Sequence, residues 1–331
     1  MANDIRGLCD RWSQCILKGT GVAVFNDDTE NLRLYRQNIF PHELSYNELI
    51  DLIIGLSGVA YFKKNVQGIS YDHFFCWAWC ADIVTRYGTN FYPIEEIEIE
   101  NLFKATYHAS IANCEVNNGG SDEFQRRGDA LRAIGVNKRN YMQTSMLSLC
   151  YLVFPLLEST LKKLCSEYVG LDGVLKKNVK YTDANGIVIN KVLNANGKPK
   201  IISSLKDLIY IYKEVVIDAE GKKNIEDILG VIAERHADDP CDVIYKWRNS
   251  SLHGTENFMQ VGGLLLCLTS LLIIYDLKDR YDSLKENVLN RLVSTGLLTE
   301  GGDDSFREFY PPCNIDKLPK NGVALFSLYS R

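Results

Sequence analysis

The sequence predicts a mainly α-helical protein in two parts: a helical N-terminal region and a C-terminal helical bundle that carries a small β-hairpin insertion. Three observations lead there. Apolar residues recur at helical spacing along most of the chain. A short stretch around two Asn-Gly pairs alternates as strands do. The run Asn117-Asn118-Gly119-Gly120-Ser121-Asp122 reads as a linker between the parts. The 331 residues suffice for two ordinary domains or one large one, and 46% hydrophobic with 24% charged residues is a soluble globular composition. The expected division is residues 1–134, a helical region of unknown role, then 135–285, the bundle with its hairpin at about 178–200, then a C-terminal extension, 286–331.

In the N-terminal region, Leu49 to Leu56, Tyr71 to Tyr87 and Ile94 to Ala112 have helical spacing, and Asn90-Phe91-Tyr92-Pro93 separates the last two. The acidic run from Glu95 to Glu100 suits the positive end of a helix dipole. Tyr141 to Tyr168 predicts a first long helix, kinked at Pro155. Val179 to Thr182 and Ile187 to Ile189 then form the hairpin, with Asn185-Gly186 supplying positive φ angles in its turn and Asn196-Gly197 closing the return. Ser203 to Val216 and Asn224 to His236 give two more helices. Asp239-Pro240 breaks the chain before Cys241 to Arg248, and Glu256 to Arg280 is the last long helix. The tail from Gly301 to Arg331 carries Pro311-Pro312 and Leu318-Pro319 and packs on either part.

Ten cysteines lie scattered in apolar runs and read as buried thiols. Cys76 and Cys80 are four apart on a helix, too few ligands for zinc without a second pair, and His42, His73, His108 and His236 show no ligand spacing, so neither metal nor cofactor is expected. Met1-Ala2-Asn3-Asp4 precedes a polar, charged stretch rather than an export signal, which predicts a cytoplasmic protein. The longest apolar run, Val261 to Tyr275, falls short of the roughly 18 to 20 residues that span a bilayer, so no membrane is expected and the run reads as a buried central helix.

The net charge of −5 hides a basic middle. Residues 1–120 hold 9 Lys and Arg against 15 acids, residues 121–200 hold 13 against 7, and residues 201–331 hold 15 against 20. Arg126, Arg127, Arg132, Lys138 and Arg139 precede the first long helix; Lys162, Lys163, Lys176, Lys177 and Lys180 lie within it or just after. Such a stretch favours a phosphate backbone, and these five lysines are the candidate RNA contacts; the plain alternative is a solvated helix face.

The stretch Lys246-Trp247-Arg248-Asn249-Ser250-Ser251-Leu252-His253 puts an arginine, a polar amide and a histidine next to the last long apolar helix. On a helix Asn249 and His253 share a face, and Arg248 lies roughly 100° round and reaches across on its long stem. A histidine carries a proton near neutral pH, and an arginine presents a planar fork of donors to phosphate oxygens. RNA brings its own nucleophile, the 2′-hydroxyl, so cleavage needs only a base, a donor for the charge that builds on phosphorus, and an acid for the leaving oxygen. His253 is the candidate base or acid, Arg248 the phosphate binder, and Asn249 the group that orients either. Lys246, just before them, is a candidate contact to a neighbouring phosphate. Glu158, amid an otherwise apolar helix face, needs a partner for its charge and is expected to hold Arg248 or His253. The structural alternative is an ordinary bundle arginine paired with Glu158 and a histidine that only hydrogen-bonds.

Arg248-Asn249-x-x-x-His253-Gly254 resembles the signature of the HEPN superfamily (higher eukaryotes and prokaryotes nucleotide-binding), whose ribonucleases carry Arg, four to six residues and then His, the first of those residues being polar and often Asn. The resemblance covers about residues 135–285. It implies a helical bundle with the motif between its first and last long helices, an acid such as Glu158 on the first, and a metal-independent endoribonuclease leaving 2′,3′-cyclic phosphates. It also implies a homodimer in which two motifs complete one cleft, and a role in phage defence, toxin–antitoxin systems or stress response, with an antitoxin or regulatory protein as a possible partner. The alternative it implies is a catalytically inactive module that binds RNA, nucleotide or a protein. Subgroups with a tyrosine two residues after the histidine are not matched, since that position is Thr255.

Overall fold

The computed structural model describes residues 4–18, 34, 37–61, 69–85, 89–111, 136–193, 199–254 and 261–294. Thr255, the linker at 117–122, Arg126, Arg127, Arg132, Asn196-Gly197, the start of the last long helix and the tail lie outside them, as do the side chains of Lys138 and Arg139. Within these residues are ten α-helices: α1 (Ile5–Lys18), α2 (Tyr46–Ala60), α3 (Tyr71–Thr85), α4 (Ile97–Ile111), α5 (Val136–Leu164), α6 (Leu205–Ile211), α7 (Ala219–Ala233), α8 (Pro240–Leu252), α9 (Gly262–Asp276) and α10 (Tyr281–Ser294). Strands β1 (Val179–Thr182) and β2 (Val188–Lys191) form a two-stranded antiparallel hairpin between α5 and α6. The architecture is mainly helical, as the periodicity predicts.

Local chemistry sets several of the starts. Ser45 and Glu48 form a reciprocal capping box at α2, and Ser204, Asp218 and Asp239 accept backbone N–H groups at α6, α7 and α8. Helix α5 begins five residues before the predicted Tyr141 and ends at Leu164 rather than Tyr168, with Pro155 inside it. The predicted Glu256–Arg280 helix is α9 to Asp276 followed by a separate 3₁₀ turn, Lys278–Arg280. Helix α10 then runs across the expected bundle limit at residue 285.

The hairpin turn differs from the expected Asn-Gly geometry. Gly186 alone takes a positive φ, +76°, and Asn185 does not. Gly186 N–H donates to the Asp183 carbonyl and Asp183 N–H to that of Ile187, both at 3.0 Å. This is the three-residue loop with a left-handed bulge glycine.

Helix α9 is buried from Gly262 to Ile274. Its broadest contacts are with α5 on one side and α2 on the other, while α4 packs on α5, α1 and α7 on α2, and α10 on α3. Each fully buried Leu or Ile along α9 contributes about 1.5–3 kcal/mol. One hydrophobic cluster runs from Ile5 to Val288, so the expected division near residue 134 passes through a continuous core. The stretch Thr144–Leu164 of α5 is long and apolar enough to cross a membrane, and 56% of that window is buried inside the protein. Its charged residues Glu158, Lys162 and Lys163 all pair with protein side chains, as on the core helix of a bundle.

Candidate functional site at the end of helix α8

Helix α8 starts where Asp239 accepts the Cys241 N–H and Pro240 fills the first helical position, which needs no donor. Val243, Ile244, Trp247 and Ser251 are buried. That leaves Arg248 and Asn249 half-buried and His253 exposed at the C-terminal end. His253 is the C-cap, its N–H bonded to the Asn249 carbonyl at 3.0 Å, and Gly254 at φ +66° turns the chain away.

Arg248 Nη2 lies 3.2 Å from Glu158 Oε2, joining α8 to the first long helix across 90 residues of sequence. Its Nη1 donates to Asn249 Oδ1 at 3.1 Å. Lys162 Nζ meets the other Glu158 oxygen at 2.9 Å, one turn along α5. Two cations thus share one carboxylate, and the cluster keeps one positive charge. The guanidinium has five donors, so two bonds leave its fork with capacity for a phosphate oxygen. Glu158 therefore holds Arg248, one of the two roles expected of it. Asn249 is itself held by Arg248 through Oδ1, and its link to His253 runs through the backbone.

Other nominated residues go elsewhere. Lys246 pairs with Asp238 at 2.6 Å, exposed, and two helical positions place it roughly 200° from Arg248 around α8. Hydrogen bonding to Asp238 holds the Lys246 ammonium above its usual pKa range. Lys163 pairs with Glu96 at 2.6 Å and lies over the rings of Phe91 and Tyr92. The side chains of Lys162 and Lys163 are only 16% and 19% exposed, so neither stands out into solvent as a free phosphate contact would. Lys176 and Lys177 are exposed, Lys176 donating to the Ser166 carbonyl and Lys177 lying 3.6 Å from Glu167. Lys180 is exposed on β1.

Two supports of α8 escaped the sequence reading. Trp247 packs edge-on against Tyr61 and His236, and the Tyr61 hydroxyl lies 2.9 Å from His236 Nε2. At the other end, the Tyr210 hydroxyl donates to Asp239 Oδ2 and accepts the Ala184 N–H from the hairpin turn, both at 2.8 Å. Only Asp239-Pro240 signalled this end in the sequence; nothing local marks Tyr61 or Tyr210 as its neighbours.

Cys76 and Cys80 are buried in α3, and Cys9, Cys150, Cys165, Cys241 and Cys267 are buried as well. Burial pushes the Cys267 and Cys165 thiols up to about 12. Among the described residues no group of three or more His, Cys, Asp or Glu side chains is placed to hold a metal. Comparisons of the chain with family models, with curated proteins and with solved structures give no match.

Proposed function

We propose that the chain is a metal-independent endoribonuclease of HEPN type, acting in the cytoplasm in phage defence, a toxin–antitoxin system or stress response. The observation that carries the reading is the pairing of Arg248 with Glu158, which fixes the motif arginine about one and a half helical turns before an exposed histidine. In this reading the 2′-hydroxyl oxygen attacks phosphorus while His253 of one copy takes its proton. Arg248 stabilises the charge on the non-bridging oxygens, and the second copy's His253 protonates the departing 5′-oxygen. The products are a 2′,3′-cyclic phosphate and a 5′-hydroxyl, and the protein works as a homodimer.

A catalytically inactive HEPN module that binds RNA, nucleotide or a protein partner is the second reading. It is favoured by the same guanidinium being engaged by Glu158 and Asn249 rather than standing open. The test is cleavage of mixed RNA in EDTA, with wild type, His253→Ala and Arg248→Ala. The nuclease reading expects losses of about 10²–10⁴-fold in both variants. Equal cleavage by all three, or none by any, sinks it.

A further inference from the structure

Strand β2 has one edge without a strand beside it among the described residues, and its sequence does little to blunt that edge. The Asp183–Ile187 bond starts the ladder, so Tyr181 with Ile189 and Val179 with Lys191 are the exchanging pairs. The amides of Val188, Asn190 and Val192 consequently face away from β1. Edge strands are ordinarily protected by proline or by a charge held out to solvent. The run from Ile187 to Leu193 has no proline. Its single charge, Lys191, is turned inward onto Asp207 at 2.6 Å. Ile187, Val188 and Val192 are meanwhile about half exposed.

We propose that this edge pairs with the same edge of a second copy of the chain, antiparallel about a two-fold axis through Asn190. The outward row Val188, Asn190, Val192 reads the same in both directions. The axis therefore sets Val188 against the partner's Val192 twice, and Asn190 against the partner's Asn190. Charge permits the approach: Lys191 is neutralised by Asp207, and Lys180, opposite Asn190 on β1, stands three strand spacings from its copy. That is roughly 14 Å, beyond the screening length of roughly 8–10 Å. Another extended partner would have to supply the same apolar–polar–apolar row; a second copy supplies it by symmetry. So short an edge falls below the roughly 800 Å² per partner of a standard interface, so the association is weak. It does not rest on the nuclease reading, because the hairpin meets α8 at Asp239, the end opposite His253.

Weak pairing is best trapped covalently. Full-length Val188→Cys and Val192→Cys chains are oxidised separately and mixed, with wild type reporting the native thiols. Paired edges bring position 188 opposite the partner's 192 at a Cα separation of roughly 5.5 Å, inside the disulfide range, whereas two copies of 188 lie roughly 14 Å apart. The mixture is expected to give roughly tenfold more disulfide dimer than either variant alone. Adding Asn190→Pro, which removes an outward N–H and spares the ladder to β1, is expected to abolish the excess. A mixture no better linked than its components, or linkage that survives Asn190→Pro, overturns the proposal.

Discussion

Neutralising Glu158 should uncouple two helices that lie far apart in the sequence. At 3.2 Å the Arg248–Glu158 attraction is about 5 kcal/mol for an effective dielectric of about 20. The side chains are 28% and 18% exposed, and removing them from water costs part of that attraction. A net of about 1.5–3 kcal/mol remains, the range for hydrogen bonds to charged groups. Glu158→Gln also strips Lys162 of its partner, so a single substitution overstates the pair. A double-mutant cycle of Glu158→Gln and Arg248→Met cancels the Lys162 contribution, because that lysine is present in every corner. Urea unfolding of the four proteins should give a coupling of about 1.5–3 kcal/mol. Thermal midpoints of the single variants should fall by about 2–4 °C for a chain of this size. A coupling below about 0.4 kcal/mol is what unconnected sites give, and it would refute the pair as the link between α5 and α8.

Two other outcomes follow from the packing. His73 is fully buried, its Nδ1 accepting the Ser70 N–H and its Nε2–H donating to the Leu56 carbonyl, so the neutral ring fits and burial pushes its pKa down to about 4. The unfolded chain then binds the proton first on acidification. Stability should be full above about pH 6.5 and decline by up to about 3 kcal/mol toward pH 4, and a His73→Gln variant with an equally steep urea-midpoint profile would contradict this. Asp239→Ala removes the N-cap of α8 and the acceptor for Tyr210, and should cost about 1–2 kcal/mol. Hydrogen exchange at the Cys241 and Val243 amides should rise with it, and unchanged protection there would show that the cap does not hold the helix.

Periodic segments and punctuation were legible in the sequence; distant pairings were not. Asn185-Gly186 marked the hairpin and Asp239-Pro240 the start of α8, because each is a local conformational demand. The first turn of α5, Val136 to Asn140, is polar enough to look like linker. Helix α1 has no counterpart among the expected elements, because an amphipathic segment near a terminus gives little signal until α2 offers it a surface. At the motif, residue types proposed the chemistry, and the Glu158 partner could be anticipated only as a buried charge in need of one. Lys162 and Lys163 show the limit of counting charge: a basic tally cannot tell a cation facing water from one spent on Glu158 or Glu96 inside the fold.

Helix α9 is roofed on one side by α5 and on the other by α2, which lies on the far side of the linker. A chain cut near residue 134 would leave leucines and isoleucines of α9 without the cover of α2, and would clump or melt before its chemistry could be assayed. Residues before the cut thus act as a wall of the bundle, so a silent truncation would report on lost cover rather than on a missing regulator.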